Sequence, residues 1–305
     1  MTLPTSGSGW DRMIQKGVNG SHSPRVSDQD NNNNVQTLAR ALVGLRMIDS
    51  RLIEKARGDI MRAIGTESGG RTLAAGRNVA AYVIAADLIG LSTSDRSRFS
   101  DWLRNIRVRV LDGKTIISTH EDRPNNWGTM AGGSRIAIAA YLGDQREIDR
   151  SAQVFHGWLG NRSVYSGFKF GDLDWQSDPK NPRAINPRGT VLNGRNMDGG
   201  LPEELRRAGG FRWPPPKENY CYETFQGAIV QAELLQRLGY SSYRWGESAL
   251  YRAYAWLHEQ AKFPPEGDDT WITYLVNRAY GSTFPLDPQA DHGKIMGWTA
   301  WTHQK

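Results

Sequence analysis

Residues 77–91 read RNVAAYVIAADLIGL. After Arg77, only Asn78 and Asp87 interrupt a run of apolar and aromatic side chains. A helix lying on a surface keeps one polar face; a helix apolar all round must be enclosed. The run therefore predicts a buried helix, and a buried helix needs others around it. Working outward, Val35–Ile48 and Arg51–Ile64 carry apolar residues at three- and four-residue spacing. Ser94–Val110 is amphipathic and is preceded by polar residues that suit a cap, Ser134–Leu142 is short and apolar, and Gln145–Leu159 is amphipathic again. Helical patterns resume at Tyr222–Leu238, Trp245–Ala261 and Asp269–Ala279. Buried and amphipathic helices alternating across short turns predict an all-α fold, an α/α toroid in which inner and outer helices form a ring and loops at one end build a cleft. An irregular helical bundle is the alternative. No long β-alternation occurs.

Three stretches fall outside this pattern. Residues 1–34, rich in Gly, Ser, Asn and Pro, predict an irregular arm on a single domain spanning 35–305. Residues 160–221 hold little periodicity, and a long irregular stretch inside a compact domain is usually functional. The tail, 280–305, is aromatic and loop-like.

The 305 residues carry a net charge of +6, with 11 Trp and 11 Tyr. Such a charge draws anionic partners. Lys and Arg never run together beyond pairs, and no zinc-finger, helix-turn-helix or RNA-binding signature occurs, so nucleic acid is not expected. The single Cys221 rules out an intrachain disulfide, and six scattered histidines show no metal-ligand spacing, so neither a metal nor a cofactor is expected. The apolar runs fall short of a membrane span, and MTLPTSGSGW lacks the charged and apolar regions of a leader.

Four motifs could carry chemistry. In His120-Glu-Asp-Arg-Pro-Asn-Asn-Trp-Gly128, between two helices, Asn125 and Asn126 offer amide donors to a carboxylate, with Arg123 and Trp127 alongside. The plain reading is a helix-entry turn. In Asp198-Gly-Gly-Leu-Pro-Glu-Glu-Leu-Arg-Arg207, the glycines allow close approach and the arginines fork onto carboxylates. A capped helix start is the plain reading. In Arg212-Trp-Pro-Pro-Pro-Lys-Glu-Asn-Tyr-Cys-Tyr222, a stiff triple proline delivers Tyr220 and Tyr222 to a helix start. A tyrosine near arginine ionises more readily and can exchange protons with a substrate, although both rings could equally be core. In the stretch from Gly69 to Asn78, Arg71, Arg77 and Asn78 stand at the mouth of the apolar helix, where a buried arginine needs an anionic partner from protein or ligand.

The runs THEDRPNNWGTMAGGSRIAIAAYLGD, INPRG, DGGLPEELRR and WPPPKENYCYETFQGAIVQAELL, with GRTLAAGRNVAAYVIAADLIGL and GDDTWITYLVNRAYGSTFP, resemble bacterial alginate lyases. The branch they are most similar to is polysaccharide lyase family 38, which acts on glucuronan and alginate. The resemblance implies an α/α toroid that cleaves a uronate polymer by β-elimination without a cofactor. It also implies an Asn at Asn126, an Arg at Arg207 and a Tyr at Tyr220 or Tyr222, with Tyr222 slightly favoured. The family's His after the Asn is Trp127 here, and histidines expected near Met130 and Arg195 are absent. His120 is a possible substitute and His292 a reserve. A missing second base favours mannuronate or glucuronate, whose proton and leaving group lie on one face, over guluronate. Expected partners are thus an anionic polysaccharide and neither nucleic acid nor membrane, for a monomer that is secreted or periplasmic, its leader outside this sequence.

Two rivals stand beside the lyase. A hydrolase would use two carboxylates from Asp172, Asp174, Asp198, Glu203 and Glu204. A glycan-binding protein that has lost its base would explain Trp127 and Met130.

Overall fold

A computed structural model describes residues 3–304. Its helices are α1 (Ser8–Met13), α2 (Asn33–Met47), α3 (Ser50–Ala63), α4 (Thr72–Ile89), α5 (Thr93–Ile106), α6 (Ile116–Asp122), α7 (Asn126–Leu142), α8 (Gln145–Trp158), α9 (Pro202–Leu205), α10 (Tyr220–Arg237), α11 (Trp245–Glu259), α12 (Ile272–Tyr280) and α13 (Thr299–Thr302). A two-stranded hairpin, β1 (Val191–Leu192) and β2 (Arg195–Asn196), is the sheet among the described residues.

The chain marks its own helix starts. Side chains of Asp49, Ser92, Asn125 and Asp144 accept backbone N–H bonds ahead of α3, α5, α7 and α8, and Thr115 forms a reciprocal capping box with Ser118 at α6. The apolar run is α4, which has the length and hydropathy of a membrane span but is 78% buried inside the protein.

Side-chain pairs give the helix directions. Asn34 meets Arg77 between α2 and α4, and Ser134 of α7 binds Gly76 and Ala80 of α4. Between α7 and α10, Asn126 meets Glu223 and Thr129 meets Thr224, while Gly132 faces Gln231. Trp271 meets Gln226 and Arg278 meets Glu233 between α10 and α12. Thr37 further lies beside Tyr82, and Gly76 meets Ala131 where Ala80 meets Ser134. Along each interface the numbers rise together, so α2, α4, α7, α10 and α12 run parallel with their N-terminal ends gathered. The amphipathic helices return: Arg40 binds Asp59 between α2 and α3, Arg135 binds Glu147 between α7 and α8, and Tyr254 packs on Tyr222 between α10 and α11. The tail occupies the space between the parallel helices. Ile295 packs at Gly133, Lys294 N–H donates to Gln226, Trp298 Nε1 donates to Val35 O, and Trp301 is buried.

Several boundaries differ from the sequence reading. α7 starts eight residues ahead of the expected Ser134, because Gly128, Gly132 and Gly133 read as breakers yet serve as contact points. A Cβ at Gly132 would meet the Gln231 amide at 2.5 Å, and one at Gly227 would meet the Thr129 carbonyl carbon at 2.4 Å. The arm is not irregular throughout: α1 and a π turn at Ile14–Val18 bury Trp10 and Met13. Residues 120–122 belong to α6 rather than to a loop.

Alanine is a better helix former than glycine by about 1 kcal/mol. Gly227→Ala should nevertheless destabilise the protein by roughly 1–3 kcal/mol, because overpacking the α7–α10 contact outweighs propensity. Urea unfolding measures this, and an unchanged or raised midpoint would mean that the two helices do not approach this closely.

Candidate active site

The gathered helix ends hold a chain of buried polar groups. Asn125 caps α7, which places Asn126 in its first turn, fully buried. Asn126 Nδ2 donates to Glu223 Oε2 at 2.7 Å, its Oδ1 accepts from Arg207 Nη1 at 3.2 Å, and its backbone N–H donates to Glu204 Oε1 at 2.7 Å. Glu223 Oε2 also accepts from Arg77 Nη2 at 2.5 Å. Glu204 Oε2 stands 3.6 Å from Arg207. Burial pushes the Glu204 carboxyl up to about 8, against the pull of Arg207 and the Asn126 N–H.

Arg207 leads this chain to solvent. Its side chain is 26% exposed, and its guanidinium carbon lies 3.4 Å from the centre of the Tyr220 ring, at the first residue of α10. Tyr220 is half-buried. Two further pairs of the same kind stand nearby in sequence: Arg123 over the half-buried Trp127 at 4.3 Å, and exposed Arg195 over Trp213 at 5.4 Å. Arg212 is exposed and donates to Ala208 O at 2.7 Å. Arg71, exposed at the start of α4, lies 3.5 Å from Asp112.

Several residues expected at the site, catalytic or substrate-binding, are held by protein groups instead. Tyr222, the tyrosine favoured from sequence, is a core residue: its ring is fully buried and its hydroxyl donates to Phe263 O at 2.5 Å. Burial pushes that phenol well above the ordinary range. His120 is buried and accepts from Arg135 at 3.3 Å, and burial holds its imidazole well below the usual value. Arg77 finds its anion in Glu223, and Asn78 donates to Asp28 O and Ala74 O, so neither points to a ligand. Asn126 works on protein groups rather than facing solvent. Met130 is core, packed where Gly76 and Gly227 approach α7. His292 lies 3.1 Å from Asn32 and 2.9 Å from Asp291. Burial also raises the Cys221 thiol far from the reactive range.

Of the carboxylates proposed for hydrolysis, Glu203, Glu204 and Asp198 are engaged by protein groups, whereas Asp174 is exposed. Glu203 accepts from Arg206 at 2.5 Å and from Gly171 N–H at 3.1 Å, and Asp198 accepts from Arg252 at 2.6 Å and from Gly189 N–H at 2.9 Å. Asp172 is an exposed partner of Arg206. The sequence reading missed Glu223 altogether. A carboxylate one turn into an apolar helix, matched by an arginine one turn into another, was the available signal. Among the described residues no group of three or more His, Cys, Asp or Glu could hold a metal ion.

The alginate lyase family model matches residues 57–165. This supports a polysaccharide lyase function in general. The matched stretch contains Arg71, Arg77, Asn78, His120, Arg123, Asn125, Asn126 and Trp127, and stops short of Glu204, Arg207, Tyr220 and Glu223. No curated protein and no solved structure matches the chain.

In the unfolded chain Glu204 sheds its proton near the ordinary 4.5, whereas the folded carboxyl keeps it up to about 8. The folded state binds more protons between those values, so this group's contribution to stability falls as pH rises through that window. Glu204→Gln should remove the slope. Relative to wild type it should gain on the order of 4 kcal/mol from pH 5 to pH 8, read by urea unfolding. Parallel pH profiles would show that the Glu204 carboxyl stays ionised in the fold.

Proposed function

We propose that the chain is a polysaccharide lyase cleaving a uronate-rich glycan, β-1,4-glucuronan or polymannuronate, by β-elimination. The observation that carries this reading is the Arg207–Tyr220 pair: a guanidinium held by buried Asn126 and stacked on a half-exposed tyrosine, where parallel helix ends gather. The family match to alginate lyase over the adjoining helices supports the same chemistry. The architecture proposed with it is the α/α toroid. Its support is the parallel inner set, the returning outer helices, and the contacts that lead from α12 through α13 and α1 back to α2.

Removing the proton on C5 of a uronate leaves charge that spreads into the C6 carboxylate. A cation facing that carboxylate stabilises the charge as it grows. Arg207 supplies the cation, and the helix N-termini behind it add positive potential. Tyr220 takes the proton from C5, and its hydroxyl then protonates the O4 leaving group. One residue serves both steps when proton and leaving group share a face of the sugar, as in β-linked glucuronate and mannuronate. Asn126 is a positioning residue in this scheme: its amide oxygen fixes the guanidinium while Glu223 holds its amide nitrogen. Arg123 with Trp127 and Arg195 with Trp213 pair a charge for the carboxylate with a face for the sugar ring.

A second reading keeps one observation in its favour. Trp127 occupies the position after the Asn where the resembled enzymes carry His, and it holds Arg123 rather than a proton-transfer group. Under that reading the protein binds uronate chains without cleaving them.

Tyr220→Phe should reduce turnover of polyglucuronate or polymannuronate at least about a hundredfold while polymer binding persists, as expected for loss of one proton-transfer group. Tyr222→Phe should keep turnover and lose about 1 kcal/mol of stability with its hydrogen bond. The assay is the ultraviolet absorbance of the C4–C5 double bond, which hydrolysis does not form. Equal turnover in Tyr220→Phe and wild type would remove Tyr220 from the mechanism, and no absorbance on any uronate polymer would favour the binding protein.

A further inference from the structure

A cavity of about 610 Å³, whose lining includes neither Arg207 nor Tyr220, lies between the C-terminal end of α8 and the N-terminal end of α11. Arg162, Arg183, Arg188 and Arg252 line it, with Glu247 as the lining carboxylate. Arg188 is paired with Glu247 at 3.1 Å, and Arg252 with Asp198 at 2.6 Å. Arg162 and Arg183 are held differently. Arg162 donates to Pro182 O at 2.6 Å and Arg183 donates to Gly160 O at 2.9 Å, each reaching across to the other's loop. These two bonds fix both guanidinium groups without neutralising them. Two charges remain uncompensated by any ion pair among the described residues, in a cavity whose other polar lining includes Asn161, Ser163 and Asn181.

A cavity of this size takes a ligand larger than a simple anion. Fixed guanidinium groups recognise carboxylates, and amide and hydroxyl groups recognise sugar hydroxyls. We infer that this cavity is a second binding site for a short run of uronate units, separate from the Arg207–Tyr220 pair, and that it retains the polymer while the other site acts on it. The inference rests on the acidic-glycan reading above for its ligand class, though not on β-elimination.

Calorimetric titration with a β-1,4-linked triglucuronate tests it, in the Tyr220→Phe background so that the ligand survives. The expected result is one equivalent whose binding weakens at least tenfold in Ser163→Glu, which places a like charge at the exposed rim without touching the loop braces. The same equivalent should be lost in Arg162→Gln/Arg183→Gln. Cellotriose, the same backbone without carboxylates, should bind weakly there. An isotherm unchanged by Ser163→Glu, or equal binding of cellotriose or inorganic phosphate, overturns the inference. Ser163→Glu with Tyr220 intact should raise KM on long polymer and leave kcat unchanged. Loss of cleavage in the wild type with the Ser163-sensitive equivalent retained would sink the lyase reading alone. Active cleavage with no such equivalent would sink only the second site.

Discussion

The Glu223 carboxylate ties three helices together. Parallel α4, α7 and α10 bring their N-terminal ends into one place, and each end carries roughly half a positive charge from its unpaired N–H groups. Arg77 adds a full charge there. Without an anion the gathered ends would repel. Glu223 Oε2 accepts from Arg77 and from Asn126 together, joining α10 to both neighbours through one oxygen. Glu204 supplies a second carboxyl beneath the Asn126 N–H. Taking these groups from water is costly, and removing one partner of such a set leaves the other stranded at about 3–5 kcal/mol. The cluster therefore fixes the register of the helices and the orientation of Asn126 in one arrangement.

Arg207 inherits its geometry from that cluster. Its guanidinium is anchored from below by the Asn126 oxygen and bounded above by the Tyr220 ring. An unanchored arginine would lose about 2 kcal/mol of rotamer freedom on meeting a carboxylate. Here much of that ordering is done before a ligand arrives. The buried polar network thus sets the direction of the exposed Arg207–Tyr220 pair to which the proposed function assigns substrate contact.

The helices were legible because burial writes itself into periodicity. The enclosed run at residues 77–91 announced α4, and the amphipathic segments α3, α5 and α8 followed. What stayed hidden shares a cause. Gly128, Gly132 and Gly133 read as turn residues, yet α7 uses them to let the end of α6, α10 and the tail come close, which only the tertiary contact reveals. The burial of Tyr222 rather than Tyr220 was illegible for a similar reason. Two residues along a helix turn a side chain by more than half a circle, and nothing local says which direction is inward. The buried Arg77 correctly demanded an anion, but sequence spacing could not identify Glu223, which is 146 positions away.

Charge placement sets the irregular stretch apart from the helices. The five arginine–aromatic stacks among the described residues lie between residues 123 and 220; Arg162–Phe170 and Arg195–Trp213 are wholly inside the irregular stretch, and Arg150–Tyr165 and Arg207–Tyr220 each have one partner there. A helix displays a given face only every three or four residues, which limits how many charged and aromatic groups it can present together. Loops are free of that spacing. Residues 160–219 use the freedom to set arginines against rings, and bury Trp175, Ile185 and Met197 to hold the loop in place. Asp198 and Arg252 pin its far end to α11. A loop anchored in this way pays its ordering entropy at folding, so the polyanion of the proposed function would meet a surface already shaped for it. The segment holds ten Lys and Arg against seven Asp and Glu, so it supplies half of the net charge of +6 from a fifth of the chain.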